Sequence, residues 1–170
     1  MFNQLHGRLV RLAPSLLRAP ARWMPFALQQ KLMGALLSRI FSDALADGDF
    51  AFLQDRWLRI EVRDLQLGWF ISSSEAGLII AEQAPQADVT FSAELNDLIL
   101  IAGRKEDPDS LFFQRRLRIE GDTELGLEVK NLMDSIDLAV LPSVLRYALQ
   151  DFSGFVQRGL AQPMASERAR

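Results

Sequence analysis

Apolar residues recur every three or four positions at both ends of the chain and every second position in its middle, so the pattern predicts helices flanking a central sheet. Between Leu5 and Leu17, the residues Leu5, Leu9, Leu12, Leu16 and Leu17 share one side with arginines between them. Pro14, Pro20 and Pro25 punctuate this stretch, which predicts a short helix or kinked arm giving way to a longer helix that opens near Pro25. In that second helix Leu28, Leu32, Met33, Leu36, Leu37, Ile40, Phe41 and Leu45 make a broad apolar face, and Asp47-Gly48 stops it.

From Phe50 to Phe91 the period falls to two. Leu58, Ile60 and Val62 alternate with Arg59, Glu61 and Arg63 within a strand predicted over Arg56 to Asp64. Strands over Leu65 to Ser72, Leu78 to Glu82 and Ala87 to Ala93 follow, with a turn at Ser74 to Gly77. The short connections predict antiparallel neighbours. A helix from about Glu94 to Arg104 leads to the acidic loop Glu106 to Asp109.

Arg116, Arg118 and Glu120 then alternate with Leu117 and Ile119, giving a strand with one wet and one dry face. Gly121 permits the bend, and Asp122, Thr123 and Glu124 place a cap and negative charge where a helix exposes free N–H groups. The next helix carries Leu125, Val129, Leu132, Met133 and Ile136 as one stripe. A last helix from about Pro142 carries Leu145, Ala148, Leu149, Phe152, Phe155, Val156 and Leu160, and the tail from Gln162 to Arg170 reads as disordered. The fold class is therefore α+β, a central antiparallel sheet of about five strands with helices gathered mainly on one face.

Composition narrows the chemistry more than the fold. The chain has 170 residues, 49% of them hydrophobic, no cysteine and one histidine, His6. Disulfides, thiolate catalysis and cysteine-ligated metals are excluded, and a Ser–His triad has no nucleophile motif to serve it. No run approaches a membrane span. The net charge of −3 hides an asymmetry, because residues 1–42 hold Arg8, Arg11, Arg18, Arg22, Lys31 and Arg39 and no acid. An ordinary helix neutralised elsewhere in the fold, a surface that touches anionic lipid, and an organelle transit peptide are the three readings of this front end. On the membrane reading Arg8, Arg11, Arg18, Arg22 and Trp23 make the contact.

The runs LAPSLLRAPARWMPFALQQ, FLQDRWLRIEVRDLQLGWF and ADVTFSAELNDLILIAGRKEDPDSLFFQRR, continuing into LRIEGDTELGLEVKNLMD, occur in an order that resembles the sterol-carrier-protein-2 (SCP2) lipid-binding domain family. Within that family they are most similar to the bacterial UbiT type of ubiquinone-biosynthesis accessory factor, over roughly residues 5 to 160. The resemblance implies a basic amphipathic arm over 1–24, an SCP2-like domain over 25–161 and a tail over 162–170. It also implies an apolar tunnel between sheet and helices, often closed by a carboxy-terminal helix in such domains. Phe70, Phe91, Leu98, Ile101, Phe112, Phe113, Leu117, Ile119, Val129, Met133, Leu149, Phe152 and Phe155 are the candidate lining.

The function so implied is non-catalytic. The protein would carry an isoprenoid quinone intermediate or a phospholipid for oxygen-independent ubiquinone synthesis, beside UbiU- and UbiV-type partners, in the cytoplasm and in transient contact with the inner membrane. No cofactor is expected. Two alternatives stay open: a small enzyme using the acids around Glu106 to Asp109 on a lipid-tailed substrate, and a scaffold whose apolar groove takes a partner helix. Arg115, Arg116 and Arg118 could hold a headgroup phosphate, but in an acidic chain they do not point to nucleic acid.

Overall fold

A computed structural model of the chain describes residues 2–134 and 143–161, with side chains from residue 7 on except at 144 and 145. The expectations for Ile136, Pro142 and the tail 162–170 fall outside the described residues, as do those for the side chains of Leu5 and Leu145. The order of elements is α1 (Phe2–Trp23), α2 (Phe26–Ile40), α3 (Ser42–Ala46), a 3₁₀ turn (Ala51–Leu53), β1 (Leu58–Val62), β2 (Leu67–Ser74), β3 (Gly77–Ala81), β4 (Val89–Ala93), α4 (Leu95–Ala102), α5 (Pro108–Phe113), β5 (Arg118–Gly121), α6 (Thr123–Asp134) and α7 (Ser143–Leu160).

The five strands form one sheet in the order β3-β2-β1-β4-β5. The expectation of a wholly antiparallel sheet needs one correction, because β1 and β4 pair in parallel, with Leu58 opposite Val89. Residues 82–88 cross from the β3 edge past two strands, so the chain enters β4 in the direction of β1. The other pairings are antiparallel. The register sets Leu58 opposite Ile71, Ile71 opposite Ile80, and Phe91 opposite Ile119, which gathers the branched residues on the face that the helices cover. Arg59, Glu61, Phe70, Arg118 and Glu120 alternate onto the uncovered face.

Gly121 ends β5 with φ +111°, and a Cβ there would stand 2.3 Å from the Asp88 carbonyl oxygen. Both the left-handed backbone and the close approach demand glycine. Gly121→Ala is expected to lower unfolding stability by about 2 kcal/mol, read from the urea midpoint. The following helix is capped by Asp122, whose carboxylate accepts from the Leu125 N–H at 2.9 Å.

The proline-rich front end is one continuous helix of 22 residues, with Pro14 and Pro20 inside it. A proline removes the N–H that would bond the carbonyl four residues back. For Pro14 that carbonyl belongs to Val10, and the Asn96 side-chain amide donates to it at 3.2 Å. Helix α4 therefore supplies the hydrogen bond that the sequence of α1 withholds. Val10, Leu100 and Val156 close a small second core between α1, α4 and α7. Close approach depends on small residues there. A Cβ on Gly159 would stand 2.5 Å from Val10, and one on Gly103 would stand 2.2 Å from the Ser153 hydroxyl.

The helix predicted to run from Pro25 to Asp47 breaks at Phe41, whose φ of −107° and ψ of 27° interrupt the helical path. The Phe41 ring turns inward to meet Phe50 edge-on at 5.4 Å. The acidic loop contains an unpredicted helix, α5, with the Asp107 carboxylate accepting from the Ser110 N–H and Pro108 in the first turn.

Candidate functional site

The main core does not close completely between the helices and the covered face of the sheet. Leu37 and Phe41 of α2 and its C-cap form the roof on one side, and Val129, Leu132 and Met133 of α6 form it on the other. Leu58, Ile60, Ile71, Leu78 and Phe91 make the floor, and Phe50, Leu53, Leu98 and Leu117 complete the walls. The cavity is about 170 Å³. Among the described residues, every one that lines the space is aliphatic, aromatic or methionine, and none presents an acid, base, hydroxyl nucleophile or metal ligand to it.

Such a lining can do one thing chemically, which is to replace water around a hydrocarbon. Each methylene removed from water contributes about 0.8 kcal/mol. Ligand pockets usually measure roughly 300–1,000 Å³, so a chain-shaped guest must displace part of this roof. Helix α2 is the more lightly held part of it. None of its residues is buried, whereas α6 buries Leu125, Gly126 and Val129. Its tethers lie toward β2 and β3. Gln29 accepts from the Trp69 indole at 2.9 Å, and the Gln30 amide donates to the Ile80 carbonyl at 2.6 Å.

Helix α2 is apolar on two sides. Met33 and Leu37 pack inward, while Leu28, Leu32 and Leu36 are 46%, 56% and 41% exposed along the outside. Helix α1 likewise exposes Leu9, Leu12, Leu16 and Leu17, and Trp23 is 86% exposed. Among the basic residues of that end, Arg11 donates to the Leu160 carbonyl and Arg22 to the Gln66 side chain, while Arg8 is exposed and Arg18 half-buried.

Of the candidate lining residues, Phe91, Leu98, Leu117, Val129 and Met133 meet at the cavity. Ile101 and Ile119 pack against the same core without facing the space. Phe70 pairs with Arg59 in the register and so faces the uncovered side, where the guanidinium lies 5.9 Å from its ring centroid. Phe112 and Phe113 stack edge to face on the surface beside β5, with Phe113 81% exposed. Leu149, Phe152 and Phe155 belong to α7, which packs on α1 and α4, and none of its described side chains lines the space. The roof residues Leu37 and Phe41 and the floor residues Ile71 and Leu78 escaped sequence reasoning. The parity of Ile71 against Arg59 and Phe70 was the signal that could have found the floor.

The charged groups near the site are engaged in holding elements together. The buried Asp97 carboxylate accepts from Nε of Arg116 at 3.0 Å, fixing α4 to the segment before β5. Asp109 accepts from the Lys130 ammonium at 2.8 Å, joining α5 to α6. That hydrogen bond raises the Lys130 pKa above its ordinary value, so its contribution is complete below the unfolded-state pKa and disappears as pH climbs through the raised one. Among the described residues no group of three or more acids or histidines could hold a metal ion, and no helix is long and apolar enough to cross a membrane.

Comparison with known proteins agrees with this geometry. Residues 33–134 match the SCP-2 sterol transfer family, a span that omits α1 and α7. The chain is 52% identical over 160 residues to the "Ubiquinone biosynthesis accessory factor UbiT" of Escherichia coli K12, covering 94% of this chain and 91% of that protein. The protein of the same name from Escherichia coli O157:H7 matches with the same identity and coverage. Among solved structures, the "UbiJ-SCP2 Ubiquinone synthesis protein" superposes with a TM-score of 0.53 at 21% identity, over 65% of this chain and 97% of that one, a likeness of fold.

Proposed function

Because the chain belongs to the SCP-2 sterol transfer family, we propose that it is a non-catalytic carrier and accessory factor of ubiquinone biosynthesis, seating the isoprenoid tail of a quinone precursor under α2. The observation that carries this reading is the apolar lining that the described residues give the cavity, which suits hydrocarbon and offers no reactive group among them. A bilayer solvates the same tail about as well, so transfer between the two is close to balanced. Small changes in roof position then decide which side holds it.

The polar ring needs a place at the mouth. Met133 lines both the cavity and a neighbouring surface depression that also holds Arg104, Lys105, Glu106 and Asp107. A ring resting there stays accessible to the enzymes that modify it while its tail is out of water. UbiU- and UbiV-type proteins of the oxygen-independent branch fit that role. A phospholipid would place its headgroup at the same mouth.

The test is extraction of the purified protein with organic solvent, followed by mass spectrometry and by uptake of a short-chain ubiquinone. Recovery of a prenylated or acylated lipid supports the reading. A protein that yields no lipid and takes up no quinone would overturn it.

Loading requires contact with a membrane, and the doubly apolar α2 beside the basic, leucine-rich α1 supports α2 as the docking and opening element. The double substitution Leu28→Asp/Leu32→Asp is expected to weaken binding to vesicles with anionic lipid about tenfold or more, measured by co-sedimentation. The stability cost should stay near ~1 kcal/mol, because about half of each side chain is already in solvent. Unchanged vesicle binding would exclude α2 as the contact.

A further inference from the structure

The two edges of the sheet are finished differently. At β3 the Gln30 side chain bonds the Ile80 carbonyl and α2 lies alongside. At β5 helix α5 takes only the leading end, where the Leu111 carbonyl accepts from the Leu117 N–H at 3.0 Å, and among the described residues no backbone bond reaches Ile119 from outside the sheet. A groove lined by Phe112, Phe113, Arg115, Ile119 and Glu120 runs beside it. An open edge bordered by exposed aromatics is a template for another strand.

Backbone directions identify what the edge offers. The Val89 N–H donates to the Trp57 carbonyl and the Arg63 N–H to the Ala93 carbonyl, so the odd-numbered residues of β4 face β1. Thr90 and Ser92 therefore face β5, opposite Glu120 and Arg118. By the alternation of an antiparallel ladder, the N–H and C=O of Ile119 point away from the sheet. On the uncovered face, the exposed Arg118 and Glu120 stand one on each side of Ile119.

This sequence is complementary to itself. When two copies of β5 run antiparallel about a two-fold axis at Ile119, the two Ile119 residues exchange both backbone hydrogen bonds. Arg118 of one copy then stands opposite Glu120 of the other, and the reverse pair follows from symmetry. Phe113, 81% exposed in the single chain, gains cover at the same junction. We propose that the β5 edge is a self-association surface, through which two copies form a reversible dimer with one continuous ten-stranded sheet. The two-fold axis stands perpendicular to the sheet, so both α2 roofs open on the same side and face one bilayer together.

The test is sedimentation velocity on the full chain between roughly 1 and 200 micromolar. The wild type is expected to move from monomer to dimer across that range. Arg118→Glu sets carboxylates opposite each other twice per dimer, and Glu120→Arg does the same with guanidinium groups, so each single change should weaken association about tenfold. The double change Arg118→Glu/Glu120→Arg restores both pairs and should return the dimer to within about threefold of wild type. Neither side chain is in an ion pair among the described residues, so melting curves should stay superimposable. Exchange of the Ile119 amide hydrogen should slow as the wild type is concentrated. A chain that stays monomeric throughout, a dimer indifferent to both single changes, or a loss that the double change does not rescue each overturns the proposal.

Discussion

Leu37→Trp is expected to lower uptake of a prenyl chain by about fiftyfold while leaving the sheet folded. Leu37 lies on the roof helix and faces a void of about 170 Å³. The larger indole fills space instead of forcing packed neighbours apart, so the stability cost should stay near 1 kcal/mol. A guest deprived of some three methylenes of cover loses about 2.4 kcal/mol, which is about fiftyfold in affinity. Titration with a short-chain ubiquinone measures the affinity, and thermal unfolding on the same sample separates lost binding from lost fold. Wild-type affinity in a folded Leu37→Trp protein would place the guest outside this cavity. Met133→Trp fills the same space from α6 and tests whether blocking depends on α2 alone.

Arg116→Met is expected to have the larger effect on the fold itself, about 3 kcal/mol lost in urea unfolding. Its partner Asp97 is 5% exposed on α4, and removing the guanidinium leaves that carboxylate buried with no cation beside it. Asp97→Leu should cost less, because Arg116 is one-third exposed and can turn to water. Combining Asp97→Leu with Arg116→Met removes both charges and should recover most of the loss, giving a double-mutant coupling of about 2 kcal/mol. Additive losses would mean that the pair is not a unit. The outcome bears on the cavity as well, since this ion pair fixes the chain just before Leu117, one of its walls.

The three arginines that could have held a headgroup divide accordingly. Arg116 is committed to Asp97, while Arg115 and Arg118 border the groove at the open sheet edge. Alternation along the chain sets the spacing of such residues but not their destination. The strands over 58–62 and 89–93 were legible because a half-buried strand writes its two faces at successive positions. Thr123 at the opening of α6 and Gly121 before it were legible because a helix start needs acceptors and a sharp bend needs glycine.

What stayed hidden depends on partners distant in sequence. The parallel pairing of β1 with β4 is decided by how residues 82–88 cross the sheet, and no local pattern encodes it. Phe70 looked like lining because it is large and apolar, yet its register with Arg59 turns it away, and its neighbour Ile71 faces the cavity instead. Helix α5 did carry a local signal, an Asp-Pro pair at cap and first turn, overshadowed by the acids around it. The unbroken α1 carried none, because the Asn96 amide that answers the carbonyl freed by Pro14 lies 86 residues away.

That distance bears on how the molecule assembles. The surface on which α1 rests combines α4 with α7, and the Arg11 bond to the Leu160 carbonyl spans 149 residues. A growing chain finishes α1 well before α4 and α7, so the leucines of α1 wait for their seat while the sheet is being made. Docking of α1 closes the longest loop in the fold and belongs among the slowest steps of folding. Its detachment is correspondingly a local opening that spares the sheet, and hydrogen exchange in α1 should report a lower opening free energy than exchange in β1 and β4.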